Sequence, residues 1–365
     1  MDCVVLVGGE GTRLRPLTYN TPKQMLKVAG VTMIDRVLYY LSQNDITSVV
    51  LSLGYKPQKF VEAYPDFSAY GIRLCYAIEP EPLDTAGAIK FAADYANFNS
   101  AIVVVNGDVL TDLSILDLFK FHKESDAKAT IALTPVEDPS RFGVVPTDKN
   151  GKVLAFIEKP DRDSAPTNYI NAGTYILENS VLDLIETGRK VSIEREIFPK
   201  LSGEGTLFAL QTDDYWLDLG TPQSLIKASS DILSNRRPDV FLERGFEMNS
   251  DGNWFSKDLL SDKFNFQGLV GNVKNSLFEG EFFFEEGFKA NLSTFGVNCK
   301  IGSDSNIIES QISSDCKIGS RVVVENSIIG IGAVLKQGSC IKDSVVGDGV
   351  EVSSNEKLIN QKVPT

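Results

Sequence analysis

The sequence holds a single histidine, His122, and five cysteines scattered at Cys3, Cys75, Cys299, Cys316 and Cys340. The cysteine count is odd and no C-x-x-C pair occurs, which argues against a zinc site or a disulfide framework and for reduced, buried thiols. His122 sits in a helical pattern, Leu118–Lys123, and reads as a solvated helix end. No apolar run approaches the roughly 18 residues a membrane span needs. No basic-then-apolar leader opens the chain, so a cytoplasmic location is expected and no membrane partner. Positive charge is also scarce. Lys and Arg number 36 against 49 Asp and Glu, a net charge of −13. That balance argues against nucleic acid or an anionic membrane as the main partner.

What is present is globular. A hydrophobic fraction of 42% and 365 residues suffice for two or three domains. The acidic balance is locally reversed. Residues 1–30 carry Arg13, Arg15, Lys23 and Lys27 against Asp2 and Glu10. A locally positive pocket in an acidic protein suits a small anionic substrate. These cations surround a glycine-rich turn, Gly8, Gly9 and Gly11, that follows the apolar run Val4-Val5-Leu6-Val7. Glycine lets a backbone turn sharply and approach a ligand closely, so strand, turn and cations together read as a polyphosphate site. Two familiar phosphate motifs fail here. G-x-G-x-x-G breaks at Leu14, and no G-x-x-x-x-G-K-[ST] occurs.

The first 135 residues alternate short β-rich runs (Val4–Val7, Val49–Leu53, Ile72–Ala77, Ala101–Val105) with helical stretches near Met33–Ser42, Pro57–Tyr64, Ala86–Ala96 and Ser114–Lys123. Alternation predicts an α/β fold, a parallel sheet with helices on both faces and ligands at the carboxyl ends of the strands. Phe142–Val145, Val153–Glu158 and Tyr169–Ile176 read as antiparallel additions. Asp213–Ile232 reads as strand, turn and helix, with Thr221-Pro222 at the helix start. Residues 236–262 are polar and read as a linker. From about 265, Ile301-Gly302, Ile318-Gly319, Ile329-Gly330 and Val346-Gly347 recur at spacings of 17, 11 and 17. These are one short of 18, 12 and 18, as if one turn per interval held five residues, and predict a short parallel β-helix. The Phe282-Phe283-Phe284 run reads as core or interface packing.

The stretch Gly8–Lys23 resembles the signature of the sugar-1-phosphate nucleotidyltransferases, G-G-x-G-T-R-L-x-P-L-T followed by P-K. Later segments resemble the same family. They are Glu79–Gly87, Asn106-Gly107-Asp108, Phe142-Gly143-Val144, Phe156–Pro160, Asn171-Ala172-Gly173 and Tyr215–Gly220. The resemblance implies a Rossmann-like domain with a mixed, mostly parallel sheet over 1–235, then the linker 236–262 and a left-handed β-helix over 263–365.

The resemblance also assigns residues. Leu6, Gly8, Gly9, Gly11, Thr12, Arg13, Lys23, Glu79, Ala86 and Gly87 would bind the nucleotide. Glu79 would accept from the N–H groups of guanine, while Ala86 and Gly87 would keep their backbone exposed beside the base. Asp84 stands where the family usually has glycine. Asn106, Gly143, Glu158, Lys159 and Asn171 would bind the sugar phosphate, and Asp108 and Asp218 would hold Mg²⁺. The implied catalytic set is Arg13, Lys23, Asp108, Lys159 and Asp218.

A sugar 1-phosphate oxygen would attack the α-phosphorus in line and pyrophosphate would leave. A phosphate monoester with a second pKa near ~6 is already ionised and needs no general base. Catalysis then reduces to positioning and charge neutralisation. Val136–Gly143, Ser192–Pro199 and Tyr215–Pro222 resemble the branch of the family that joins GTP to mannose 1-phosphate. Uridylyl-, thymidylyl- and adenylyltransferases of glucose 1-phosphate share most of the motifs, and a non-catalytic nucleotide-sugar-binding relative is a further alternative. An acyltransferase role for the β-helix, which commonly needs a histidine base, is disfavoured because no histidine follows residue 122. The flat faces of a β-helix suit a homo-oligomer.

Overall fold

Asp2–Leu6 forms a strand whose Cys3, Val4 and Val5 are fully buried. In the computed structural model, which describes residues 1–261 and 272–364, it runs parallel to Ser48–Leu53 on one side and to Ile102–Asn106 on the other. Ile72–Ile78 extends the parallel set beyond Ser48–Leu53. The other flank is antiparallel, with Tyr169–Leu177 against Ile102–Asn106 and then Gly143–Val144 and Ile157–Glu158. Ala129–Pro135, Leu207–Gln211 and the short antiparallel edge strand Ser68–Ala69 complete a ten-stranded mixed sheet. The expected helices form as Met33–Ser42, Gln58–Ala63, Asp84–Tyr95 and Ile115–Glu124. The apolar residues of this sheet and of helices Asp84–Tyr95 and Phe198–Glu204 share one core.

His122 corrects an expectation. It is 1% exposed, bonded through Nδ1 to Thr130 Oγ1 at 2.7 Å and through Nε2 to Glu178 Oε1 at 3.3 Å. Ile115, Leu118 and His122 fall on one helical stripe, and that stripe faces the core. Burial pushes the imidazole below its ordinary pKa, with Glu178 opposing.

By its internal contacts the chain divides into two units. One is Met1–Glu10 with Val37–Leu217, and the other is Gly11–Arg36 with Asp218–Thr365. The sheet of the first unit is described above. The second unit is built on a three-faced parallel β-helix, with faces of eight, six and five short strands among the described residues. From Leu277 to Lys362 every coil holds 17 residues, as Leu277, Thr294, Gln311, Ile328, Val345 and Lys362 pair in sequence.

Core residues within a coil step by six, five and six, as at Ile301, Ile307, Ile312 and Ile318. The five-residue corner carries a buried serine ladder, Ser276, Ser293, Ser310, Ser327 and Ser344. From Ser293 on, each serine N–H donates to the hydroxyl one coil back at 3.0–3.3 Å, while the Ser276 N–H donates to Asn253 Oδ1; each hydroxyl donates to a carbonyl two residues earlier. The ladder satisfies the polar groups that a tighter corner turns inward.

The region around 236–262 carries short helices Leu242–Gly245 and Lys257–Ser261 and the antiparallel strands Phe246–Met248 and Trp254–Ser256. The expected start of the β-helix, at 263, lies outside the described residues. Phe282 is 1% exposed and stacks on Phe278 at 4.2 Å, whereas Phe283 is exposed.

The outward residues of the eight-stranded face, Leu277, Thr294, Ile328 and Val345, are themselves buried. The same unit's helix Pro222–Leu233 covers them, with Gln311 Nε2 donating to Leu225 O and Ser229 Oγ. That helix starts as expected, with a capping box between Thr221 and Ser224 and Pro222 in its first turn. The segment 14–32 also lies on this face. Gly30 approaches Leu277, and Lys27 pairs with Glu279.

Candidate active site

In the first unit, Gly8 and Gly9 follow the central strand and are exposed. A Cβ on Gly8 would lie 3.4 Å from Glu79 Oε1. Glu79 is held from two sides: Oε1 accepts from Ser52 Oγ at 2.9 Å and Oε2 from the Leu83 N–H at 3.1 Å. The carboxylate is therefore fixed against the glycine turn, with lone pairs left for a ligand. Asp84 takes the left-handed conformation, φ 59°, and its Oδ1 accepts from the Thr85 N–H. This accounts for the departure from glycine, because aspartate is among the residues that visit this region most readily.

Ala86 and Gly87 differ from expectation. Both are buried, and both N–H groups donate to the Val191 carbonyl, at 2.9 and 3.2 Å. A Cβ on Gly87 would meet Arg189 O at 2.6 Å. These residues seat segment 189–191 on the helix start, and their donors are not open to a base.

Asn106 ends the strand Ile102–Asn106, and Gly107 and Asp108 follow it. Gly107 donates to Leu6 O at 3.0 Å, and a Cβ there would strike Val7 Cγ1 at 2.5 Å. Gly173, at φ 77°, leaves room for the Asn106 amide, which a Cβ would meet at 2.6 Å. Asn171 Nδ2 donates to Tyr175 Oη at 2.8 Å, and its Oδ1 accepts from Gly173 N–H. Burial holds the Tyr175 hydroxyl protonated; the charges of Glu194, Glu158 and Asp108 act in the same direction.

Gly143 pairs with Glu158 across an antiparallel ladder, and a Cβ at 143 would overlap the Phe156 ring. Lys159 Nζ lies 3.1 Å from Glu158 Oε1 and is 60% exposed. Asn106 and Asn171 thus meet at Gly173, and Asn171 is tied to Tyr175. Sequence reasoning missed Tyr175, and also Trp216, whose indole N–H donates to Ala172 O at 2.8 Å and whose ring meets Phe142 edge-on.

In the second unit, Gly11 adopts φ 65° before the short turn Thr12–Leu14, and its carbonyl accepts from Thr18 Oγ1 at 2.8 Å. Lys23 Cβ would lie 3.0 Å from a Cβ on Gly11. The Arg13 guanidinium lies 3.7 Å from Asp218 Oδ2 and is 54% exposed. It rests on Gly220, where a Cβ would fall 2.3 Å from Nη2. Asp218 Oδ1 accepts from the Gly220 N–H at 2.9 Å. Gln24, beside Lys23, is buried with no hydrogen-bond partner for either amide atom. No sequence signal marked it beyond a polar residue between Lys23 and Met25.

Among the described residues no group of three His, Cys, Asp or Glu converges as a metal cage. Single carboxylates suit Mg²⁺, which takes one or two of them and completes its shell with phosphate oxygens and water. Among the same residues, no helix is long and apolar enough to cross a membrane.

Residues 2–235 match the model of the nucleotidyl transferase family. The chain belongs to that family. It is 41% identical over 256 residues to the mannose-1-phosphate guanylyltransferase of Mycobacterium tuberculosis, covering 69% of this chain and 70% of the relative. A solved structure of a putative glucose-1-phosphate thymidylyltransferase from Bacillus anthracis, in complex with a sucrose, superposes with a TM-score of 0.59. It shows 27% identity over 66% of this chain and 97% of its own. HddC from Yersinia pseudotuberculosis complexed with GMP-PN superposes at 0.53, with 32% identity over 62% of this chain and 97% of its own.

Proposed function

We propose that this nucleotidyltransferase joins GTP and mannose 1-phosphate to give GDP-mannose and pyrophosphate. The observation that carries the guanine is Glu79, a fixed carboxylate packed against Gly8 of the phosphate turn. An acceptor-only group there suits guanine, whose pairing edge presents two adjacent N–H donors, where adenine presents a ring acceptor beside its amine. The name of the Mycobacterium tuberculosis relative and the GMP-PN ligand of HddC support the same base.

Arg13 and Lys23 hold the triphosphate, and Arg13 stabilises the pyrophosphate as the α–β bond breaks. Lys159 holds the phosphate of the sugar, with Glu158 and Asn171 on its hydroxyls, and Gly143 lets the backbone approach it. Asp108 and Asp218 would hold Mg²⁺, which supplies charge neutralisation at the phosphates. A catalytic domain over 1–235, a β-helix over 263–365 and the stretch 236–262 between them belong to this reading. So do a cytoplasmic location and a homo-oligomer formed through β-helix faces.

Pyrophosphate release across a matrix of nucleoside triphosphates and sugar 1-phosphates tests the substrates. GTP with mannose 1-phosphate is expected to be the fastest pair. Faster release from UTP, dTTP or ATP with glucose 1-phosphate would replace the base and sugar assigned here. Binding of GDP-mannose with no release from any pair would leave a regulatory relative.

Lys159→Ala is expected to raise KM for the sugar 1-phosphate about tenfold while moving KM for GTP far less. Lys159 already sits at φ 47°, so alanine inherits the backbone cost and the variant isolates the lost charge. Equal shifts in both constants would remove Lys159 from the sugar-phosphate side.

A further inference from the structure

The outward residues of the eight-stranded face run Leu277, Thr294, Gln311, Ile328, Val345 and then Lys362. A cation replaces the neutral residues at the end of this column. Lys362 Nζ donates to the main-chain carbonyl of Arg13 at 2.5 Å. Three residues on, Pro16 packs on the same end of the β-helix. A Cβ on Gly347 would lie 3.1 Å from Pro16 Cβ and Cγ and 3.1 Å from Pro364 Cδ. The chain around Arg13 is therefore seated on the last coil by one polar and one packing contact. Its guanidinium is steered separately, by Asp218 and by the open space at Gly220. Arg13 is thus held at both ends, its backbone by the last coil and its charge by the segment that precedes helix Pro222–Leu233.

We propose that Lys362 is a positioning residue for the reaction, setting the place of the Arg13 backbone so that the guanidinium meets the leaving pyrophosphate. The inference rests on the reading of Arg13 given above. An exposed hydrogen bond to a lysine contributes little to stability. A charge displaced by a fraction of an ångström from a reacting phosphate costs rate. The role of Lys362 is therefore catalytic geometry more than folding, and the two have different signatures.

The test uses the full-length chain with the substrate pair that the matrix selects. Lys362→Met keeps the aliphatic stem and removes the donor. It is expected to lower kcat about tenfold, with KM for the sugar 1-phosphate within about twofold and the melting temperature nearly unchanged. Lys362→Arg is expected to restore most of the rate. Lys357→Met, on another face of the β-helix, is expected to match the wild type. In an Arg13→Ala background, Lys362→Met is expected to cost nothing further, because the group it positions is gone. A Lys362→Met variant that equals the wild type, or that costs the same factor without Arg13, overturns the proposal while the nucleotidyltransferase reading stands. A wild-type chain that releases no pyrophosphate with any pair overturns both.

Discussion

Replacing Asp108 with asparagine is expected to lower kcat on the order of 10²–10³-fold, the loss typical when one preorganised charge-stabilising group is removed. The change is nearly isosteric, and the turn that presents Asp108 is set by its neighbours. Gly107 bonds to Leu6 O and leaves no room for a side chain against Val7. The asparagine should therefore occupy the same place with one negative charge fewer, and the melting temperature should stay within a few degrees of the wild type. Two readouts separate this from general damage. Raising Mg²⁺ should recover part of the rate, because a weakened site still fills by mass action. Binding of the nucleotide sugar without metal should be unaffected. A variant within about threefold of wild-type kcat at low Mg²⁺ would remove Asp108 from the metal site.

The parts of the molecule legible in the sequence are those decided by short-range physics. Alternating apolar runs and helical stripes placed the parallel strands and the four helices of the first 135 residues to within two residues at each end. The 17-residue coil was readable because every coil repeats one length, so the missing residue recurs at one corner, where the serine ladder closes it. His122 was legible in principle, since it shares a buried stripe with Ile115 and Leu118.

What was not legible depends on distant partners. The N–H groups of Ala86 and Gly87 are taken by Val191, about a hundred residues away, and nothing local announces it. Tyr175 and Trp216 gain their roles from Asn171 and Ala172, across a bulge between Asn171 and Tyr175. The covered face of the β-helix was equally hidden. Its outward column reads as surface until the signature segment and helix Pro222–Leu233 lie on it.

Removing the carboxylate of Asp239 by alanine is expected to destabilise the second unit by about 3–5 kcal/mol, the cost of leaving a buried charge unpaired. Arg36 and Asp239 form an ion pair with both side chains about 5% exposed or less. Arg36 also donates through Nε and Nη2 to Val28 O, at 3.1 and 2.7 Å, so one guanidinium ties the hairpin after the signature loop to residue 239. Asp239 additionally accepts from Arg237 and from the Leu242 N–H. Burial pulls the Arg36 pKa down and Asp239 holds it up, so without the carboxylate the guanidinium loses the partner that offsets its desolvation.

Thermal unfolding should register the change as a fall of roughly 10 °C. Replacing both partners together by leucine should recover much of the loss, because a buried ion pair is often no better than a packed apolar pair once neither charge remains. A single variant that loses less than about 1 kcal/mol would mean that water reaches Arg36, in which case the pair is a surface contact and the hairpin is held by packing at Gly30 and Leu277 instead.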